Sequence, residues 1–306
     1  MSNNKVTATQ LGIWVITATA GPVFYYGNGN WFWLIPVAIL LCAITALSVC
    51  CGRHWEGAVY RFVQFLWISI MLSQLLGYSA FCWPTGRQTF PVVPLALLAL
   101  AAISASKGAK SAANGISVVF WMSLFLLGIV LVAGAQNVDC SLLNPNREGV
   151  SAPMLLALLL PAAAGFLSRE KCAMLPYISI AVLAIVVSLW IAGNLGYQVA
   201  QTMAWPFYEA AKSVELFDLA KRFESLVSVG VTLCNYCLYS LLLSASAEVS
   251  EKYMGRRESV IVSATIAATL MLLEVSINPA ILFLISLLFW VILPLLGVLK
   301  KKEKEL

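Results

Sequence analysis

The residues best able to hold a small molecule are those that interrupt apolar stretches. Ala20-Gly21-Pro22 falls halfway along the run that begins at Trp14. Proline removes a backbone donor and glycine gives up rigidity. In lipid an unpaired backbone group costs several kcal/mol, so a broken helix survives only where protein or a lined cavity covers it. Its half-helix ends then become useful. The N-terminal end carries roughly +0.5 of an elementary charge and free N–H groups that seat a carboxylate, while freed carbonyls suit an ammonium or a cation. An α-amino acid presents both charges. The first ligand-facing set on this reading is Thr17, Thr19, Ala20, Gly21 and Pro22, with the threonine hydroxyls as extra partners.

A second interruption lies in "SAPMLLALLLPAAAGFLSREKCAMLPYIS", with Pro161, Gly165 and then Ser168-Arg169-Glu170. A mid-span Arg costs about 2.5–3.5 kcal/mol on insertion scales. Either the span ends at Phe166 with Arg169 in water, or the helix unwinds there. Unwinding would make Gly165, Phe166 and Ser168 the second ligand-facing set, and Glu170 would sense an ammonium or a proton, or stand solvated at the mouth. Ser73, Gln74 and Tyr78 in the third span, with Thr232 and Asn235 in the eighth, would complete a pocket. The competing role is helix–helix glue, worth roughly 0.6 kcal/mol per interaction.

The elements that must position these residues are membrane spans. Of the 306 residues, 61% are hydrophobic and 11% charged, and mean hydropathy is +0.88. Soluble domains carry about a quarter charged residues. Ten stretches approach the ~20 residues of a span, near 8–26, 31–51, 60–83, 91–106, 114–135, 152–175, 177–197, 225–249, 259–277 and 279–299. The opening "MSNNKVTATQ" lacks the pattern of a cleavable signal peptide. With the N-terminus inside, Lys5, Arg53, Arg61, Lys107, Lys110, Arg169, Lys171, Lys252, Arg256, Arg257, Lys300, Lys301, Lys302 and Lys304 are cytoplasmic. Those are fourteen of the 19 Lys and Arg, so both termini are expected inside. The net charge of +5 then reflects topology and contact with the bilayer rather than nucleic acid. One polytopic domain over 1–306 is expected, with repeat one at about 6–135, repeat two at about 150–277 and a last span at 279–299. An outer amphipathic helix at about 206–224 is either a lid or a connector. Interrupted spans at matching places in two halves of opposite orientation point to inverted repeats.

The eight Cys form no metal or disulfide framework. Cys42, Cys50, Cys51, Cys234 and Cys237 read as small apolar fillers, and "CNYC" has redox spacing without a companion pair. Cys82 and Cys140 both fall outside, where they could pair. His54 is the single His, solvated in a cytoplasmic turn. With no metal-ligand spacing, no nucleophile with a matching base and no phosphate loop, neither an enzyme nor a cofactor is expected.

Over nearly its whole length the chain resembles the spore permease family, the B subunits of nutrient germinant receptors in endospore-forming bacteria. That family lies within the amino acid–polyamine–organocation transporter superfamily. "KVTATQLGIW" leading into "TATAGPVFYYG" is similar to the family's opening helix and glycine-broken first span. "FLSRE" at 166–170 looks like the superfamily's Phe-x-Gly-x-Glu, with Ser168 where Gly is usual. "WPFYEAAKSVELFDLAKRFESLVSVGVTLCNYCLYS" matches the aromatic-Pro, amphipathic helix and eighth span, through Trp205-Pro206 and Arg222-Phe223-Glu224. The chain is shorter than a usual member and lacks the Pro that often follows Phe24. The resemblance implies an all-α integral membrane protein of about ten transmembrane helices. They would form two inverted five-helix repeats with helices 1 and 6 broken, and 166–170 unwound opposite the first break. It further implies a receptor subunit in the spore inner membrane that binds a small nutrient such as an amino acid, with a membrane-embedded A subunit and a lipoprotein C subunit as partners. The alternative of the same fold is a proton- or cation-coupled amino acid transporter.

Overall fold

The computed structural model describes residues 6–51, 57–81, 91–143, 149–167, 174–214 and 223–294. Among these, every regular element is helical. They are α1 (Ala8–Tyr26), α2 (Trp31–Cys51), α3 (Ala58–Phe81), α4 (Val92–Ser106), α5 (Ala109–Gly134), α6 (Ala152–Leu159), α7 (Leu175–Leu195), α8 (Tyr197–Thr202), α9 (Pro206–Lys212), α10 (Phe223–Ser250), α11 (Arg256–Leu272) and α12 (Pro279–Leu287). Among the described residues, five segments are long and apolar enough to cross a membrane: Trp31–Val49, Val59–Tyr78, Ala109–Asn137, Leu175–Leu195 and Ser225–Ser250. Large apolar side chains face outward, including Ile39 and Leu40 on α2 and Val118, Trp121 and Phe125 on α5. Water would penalise such a surface and lipid does not. This is the architecture of an all-α, multi-pass membrane protein.

Side-chain bonds between helix ends fix the direction of each helix. At the end that carries the N-terminus of α1, here the near end, Gln10 donates to Asn114 at the start of α5 (2.7 Å). There too Arg256, opening α11, donates through Nε to the Ala105 carbonyl that closes α4 (3.0 Å) and lies 3.7 Å from Glu248 of α10. At the far end Gln74 of α3 donates to the Val275 carbonyl (2.7 Å) and accepts from the Ile277 N–H (2.9 Å), stapling the link between α11 and α12. Asn30 there donates to the Gly149 carbonyl ahead of α6 (2.8 Å). The loop after α5 is tied to the end of α7, since the Asp139 N–H donates to the Gly193 carbonyl (2.9 Å). The Asp139 carboxylate accepts the Ser141 N–H (2.8 Å), which holds its carboxyl below the usual carboxylate range. The ten longer helical segments thus alternate in direction, and α12 ends near where α1 begins.

Several contacts between helices recur in matched pairs, although the most extensive, α1–α10 and α5–α10, have no counterpart of comparable extent. α2 packs on α7, and α4 on α11. α1–α5 is matched by α6–α12, α1–α7 by α2–α6, α3–α11 by α4–α10, and α3–α4 by α10–α11.

Two expectations require correction. The first span is not broken: α1 is one continuous helix from Ala8 to Tyr26, with Pro22 inside it. Pro22 lacks only the single donor that would reach the Ala18 carbonyl, and it sits near the helix end, where few further bonds depend on it. A capping box holds the other end, Thr7 and Gln10 exchanging bonds of 3.1 and 3.3 Å. Packing on α5, α7 and α10 holds the middle, where the Trp14 indole donates to the Cys237 carbonyl (3.0 Å). Gly21 serves close approach: a Cβ there would lie 2.9 Å from Asn235 Oδ1 and 3.1 Å from Cys234 Cβ. The sixth span does change form. α6 stops at Leu159 and continues as a 3-10 helix over Leu160–Phe166, where Pro161 removes an α-type donor. Gly165 there lies against Val49 of α2, not against Gly21. Residues 168–173, over which this span was expected to continue to 175, lie outside the described residues. The outer amphipathic helix is described only as Pro206–Lys212 with a turn to Val214; the rest of it, with Arg222, falls outside the described residues.

Candidate functional site

The far ends of α1 and α10, capped by α9, form a concave site. Pro206 starts α9, where its fixed φ and missing donor suit the first helical turn. The next residue, Phe207, is driven into the bundle. Its ring centroid lies 4.5 Å from that of Phe24 on α1 and 4.9 Å from that of Trp190 on α7, and it is 1% exposed. Ala210, Ala211 and Val214 are buried behind it. Trp190 is itself held by its indole donating to the Leu131 carbonyl of α5 (3.1 Å). α9 is therefore packed into the end of the bundle as a plug.

Beneath the plug is a hollow of about 20 Å³. Phe24 and Tyr25 of α1 line it on one side, Val227, Ser228, Val231 and Thr232 of α10 on another, and Trp205, Phe207 and Tyr208 roof it. A water needs about 10–15 Å³ of such room, so the hollow admits one or two waters as it stands. Thr232 donates its hydroxyl proton to the Ser228 carbonyl (2.6 Å). One turn deeper, Asn235 donates through Nδ2 to the Tyr25 hydroxyl (3.0 Å), and its Oδ1 faces Gly21. None of the nine lining side chains carries a charge at neutral pH. At the edge Lys212 pairs with Glu209 (2.9 and 3.1 Å) and sits 4.8 Å from the centre of the Tyr208 ring, a cation–π contact.

Of the residues expected from sequence, Thr232 lines the hollow, while Gly21 and Asn235 face each other across α1 and α10 one turn deeper. Thr17 and Thr19 instead donate to the Ile13 and Val15 carbonyls of their own helix (2.7 and 2.8 Å). Ala20 and Pro22 are buried within α1. Ser73 donates to the Ile70 carbonyl (2.8 Å), and Gln74 is the staple described above. Tyr78 packs edge-on against Tyr26 (5.7 Å). Gly165 packs on α2 and Phe166 is half-buried at the end of the 3-10 segment. Ser168 and Glu170 lie outside the described residues. Cys140 is an exposed free thiol, and its expected partner Cys82 lies outside the described residues.

The aromatic lining of α1 and α9 was not foreseen, although "FYY" and "WPFY" are its visible trace. Adjacent aromatic residues at a span end equally suit the membrane interface. No protein-family model matches the chain, and no curated protein does.

Proposed function

We propose that this chain is a nutrient-sensing membrane subunit of the germinant-receptor type, a member of the spore permease family. It would bind a small molecule such as an amino acid at the far end of α1 and α10. The observation that carries the reading is the plugged hollow. A small site closed by a buried aromatic residue on a short helix can report occupancy by moving that helix, without passing its ligand through the bundle.

The ten-span fold in two inverted halves belongs to the same proposal. Its support is the subset of matched contacts, which would pair α6, α7, α10, α11 and α12 with α1 to α5; on that pairing the last span, expected outside the repeats, would join the second half. The near end, rich in Lys and Arg, would face the cytoplasm, in the spore inner membrane, with A and C subunits as partners. Transport is the second reading, favoured by the 3-10 segment of the sixth span, an irregular backbone of the kind that lines transporter sites. The continuous α1, bonded to α10 through Trp14 and Asn235, favours sensing, because rocking one half against the other would have to part these bonds.

A thermal-shift screen of the protein in nanodiscs against amino acids, sugars and nucleosides should find a ligand whose effect disappears in Phe207→Ala. Vesicles containing this protein alone should not accumulate that ligand, and deletion in its host should abolish the germination response. Accumulation would establish transport, and a shift unaltered in Phe207→Ala would move the site away from the plug.

A further inference from the structure

We infer that the π-helical turn that ends α12 is a two-state element set by α3, through which the far-end hollow is coupled to the near end. This rests on reading the chain as a sensor, and it names the route by which occupancy crosses the molecule.

The two states follow from Pro294. In the turn Leu288–Ile292 the Leu293 N–H donates to the Leu288 carbonyl, five residues back. The Phe289 carbonyl would then need the N–H of residue 294, which is a proline and has none. An α-turn over the same residues pairs Leu293 with Phe289, four back, and leaves the Trp290 carbonyl facing the proline instead. One carbonyl loses its helical partner in either form, and the form decides which. An unmet carbonyl is costly in lipid, so donors from outside the helix choose between the forms. α3 supplies them to Phe289, the Tyr60 hydroxyl donating at 2.9 Å and the Gln64 amide at 3.1 Å. The Gln64 Oε1 accepts the Trp290 indole N–H (2.9 Å), so one buried side chain grips two successive residues of the turn. Passing to the α form absorbs one residue. That turns Leu293 and Pro294 by about 100°, and with them the course of the chain as it leaves the bundle.

The clamp belongs to a stripe that runs the length of α3. Tyr60, Gln64, Trp67, Met71, Gln74 and Tyr78 recur at alternating steps of four and three, and so share one face. Above the clamp, the Trp67 indole donates to Ser286 of α12 (3.0 Å), whose hydroxyl lies 3.6 Å from the Met71 sulfur. Gln74 holds the link into α12 through Val275 and Ile277. At the far end Tyr78 packs edge-on against Tyr26, with 5.7 Å between ring centres. Tyr26 in turn lies 6.5 Å from Tyr25, a wall of the hollow. One helix therefore touches that wall at one end and holds the π-turn at the other. Opening the hollow moves Tyr25 and, through Tyr26 and Tyr78, α3. A shift of about 1 Å at Tyr60 and Gln64 spoils both bonds to Phe289, and the α form takes over.

The test reads the turn itself. Ile292 is exposed on the outside of the bundle, and the α form carries it toward the half-buried direction now taken by Leu293. A nitroxide is attached to the Ile292→Cys variant of the full chain in nanodiscs. Cys50, Cys51, Cys82, Cys140 and Cys172 are replaced by Ser, and the buried Cys42, Cys234 and Cys237 are kept. Collision of the nitroxide with oxygen dissolved in the lipid should fall about two-fold when Tyr60→Phe and Gln64→Leu are combined, as its face turns by about 100°. Tyr60→Phe alone, which keeps the ring and threatens the fold least, should give a smaller fall. Phe207→Ala, which removes the ring that roofs the hollow, should also lower the rate. Tyr78→Ala should cancel the effect of Phe207→Ala and leave that of the clamp variants in place. A rate unmoved by Tyr60→Phe, alone or with Gln64→Leu, overturns the two-state turn. A rate that follows the clamp but ignores Phe207→Ala overturns the coupling through α3. The sensing reading fails on a different result, accumulation in vesicles of the compound found by thermal shift, whatever the nitroxide does.

Discussion

At the scale of single residues, the α1–α10 seam is where chemistry and packing meet. Asn235 and Tyr25 form one hydrogen bond in a half-dry setting, so removing either partner should lower stability by about 1 kcal/mol, the net worth of such a bond. The double variant Tyr25→Phe with Asn235→Leu should lose less than the sum of the single variants. Denaturation of all four proteins in one detergent measures that coupling, and strict additivity would show the two side chains to be energetically separate. Gly21→Leu should be harsher. Its side chain would have to occupy space already held by Asn235 and Cys234, and overpacking of this kind costs about 1–3 kcal/mol. Ligand response should fall with it, because Tyr25 is carried on the same helix. A Gly21→Leu protein with unchanged melting temperature and dose curve would remove the seam from the mechanism. The sequence singled out Gly21 and Asn235 as ligand-facing; the structure shows them packed against each other across the α1–α10 seam. A glycine in an apolar helix reads equally as a break or as a close approach, and only the neighbouring helix decides between them.

At the scale of elements, most helix bounds were legible to within about two residues, because about 20 apolar residues between polar ends leave few alternatives, while α5 starts five residues before its expected span and α11 ends five before. α1 and α2 begin and end where hydropathy places them, whereas the state of Pro22 inside α1 depended on packing that no local pattern records. Pro22→Ala isolates that point. If α1 is a helix that tolerates its proline, restoring a donor for the Ala18 carbonyl should leave the melting temperature unchanged or higher, with the lost ring contacts partly offsetting the gain. A clear fall would mean that the fold needs an interruption there. α9 lends itself to the opposite experiment. Phe207→Ala removes a fully buried ring and should destabilise the protein by about 3–5 kcal/mol if the end of the bundle cannot collapse around the gap. Trp190, stacked on that ring, should shift its fluorescence toward the red as water enters. An unchanged spectrum would show that α9 is not the plug its contacts imply.

At the scale of the molecule, what holds the near end differs from what closes the far end. Near the chain's start the ties are polar and reach across helices. Arg256 joins α4, α10 and α11, and the Phe289 carbonyl, in the π-helical turn Leu288–Ile292 that continues α12, accepts both the Tyr60 hydroxyl (2.9 Å) and the Gln64 amide (3.1 Å) of α3. A π-turn frees carbonyls that need such partners. At the far end the polar ties of Gln74, Asn30 and Asp139 are joined by the ring cluster of Phe24, Trp190 and Phe207. The two ends thus carry different chemistry, and sidedness is the property to measure. Cys140 is an exposed thiol at the far end, while Cys42, Cys234 and Cys237 are buried. In a variant with Cys50, Cys51, Cys82 and Cys172 replaced by Ser, a membrane-impermeant maleimide should label Cys140 in intact cells. With Cys140 also replaced, Gly255→Cys at the start of α11 should label only after permeabilisation, since it sits beside Arg256 and Arg257 at the basic end. Opposite labelling would invert the protein in the bilayer and carry the hollow to the cytoplasm. Labelling of both sites from one side would contradict the alternation of helices, and with it the two inverted halves.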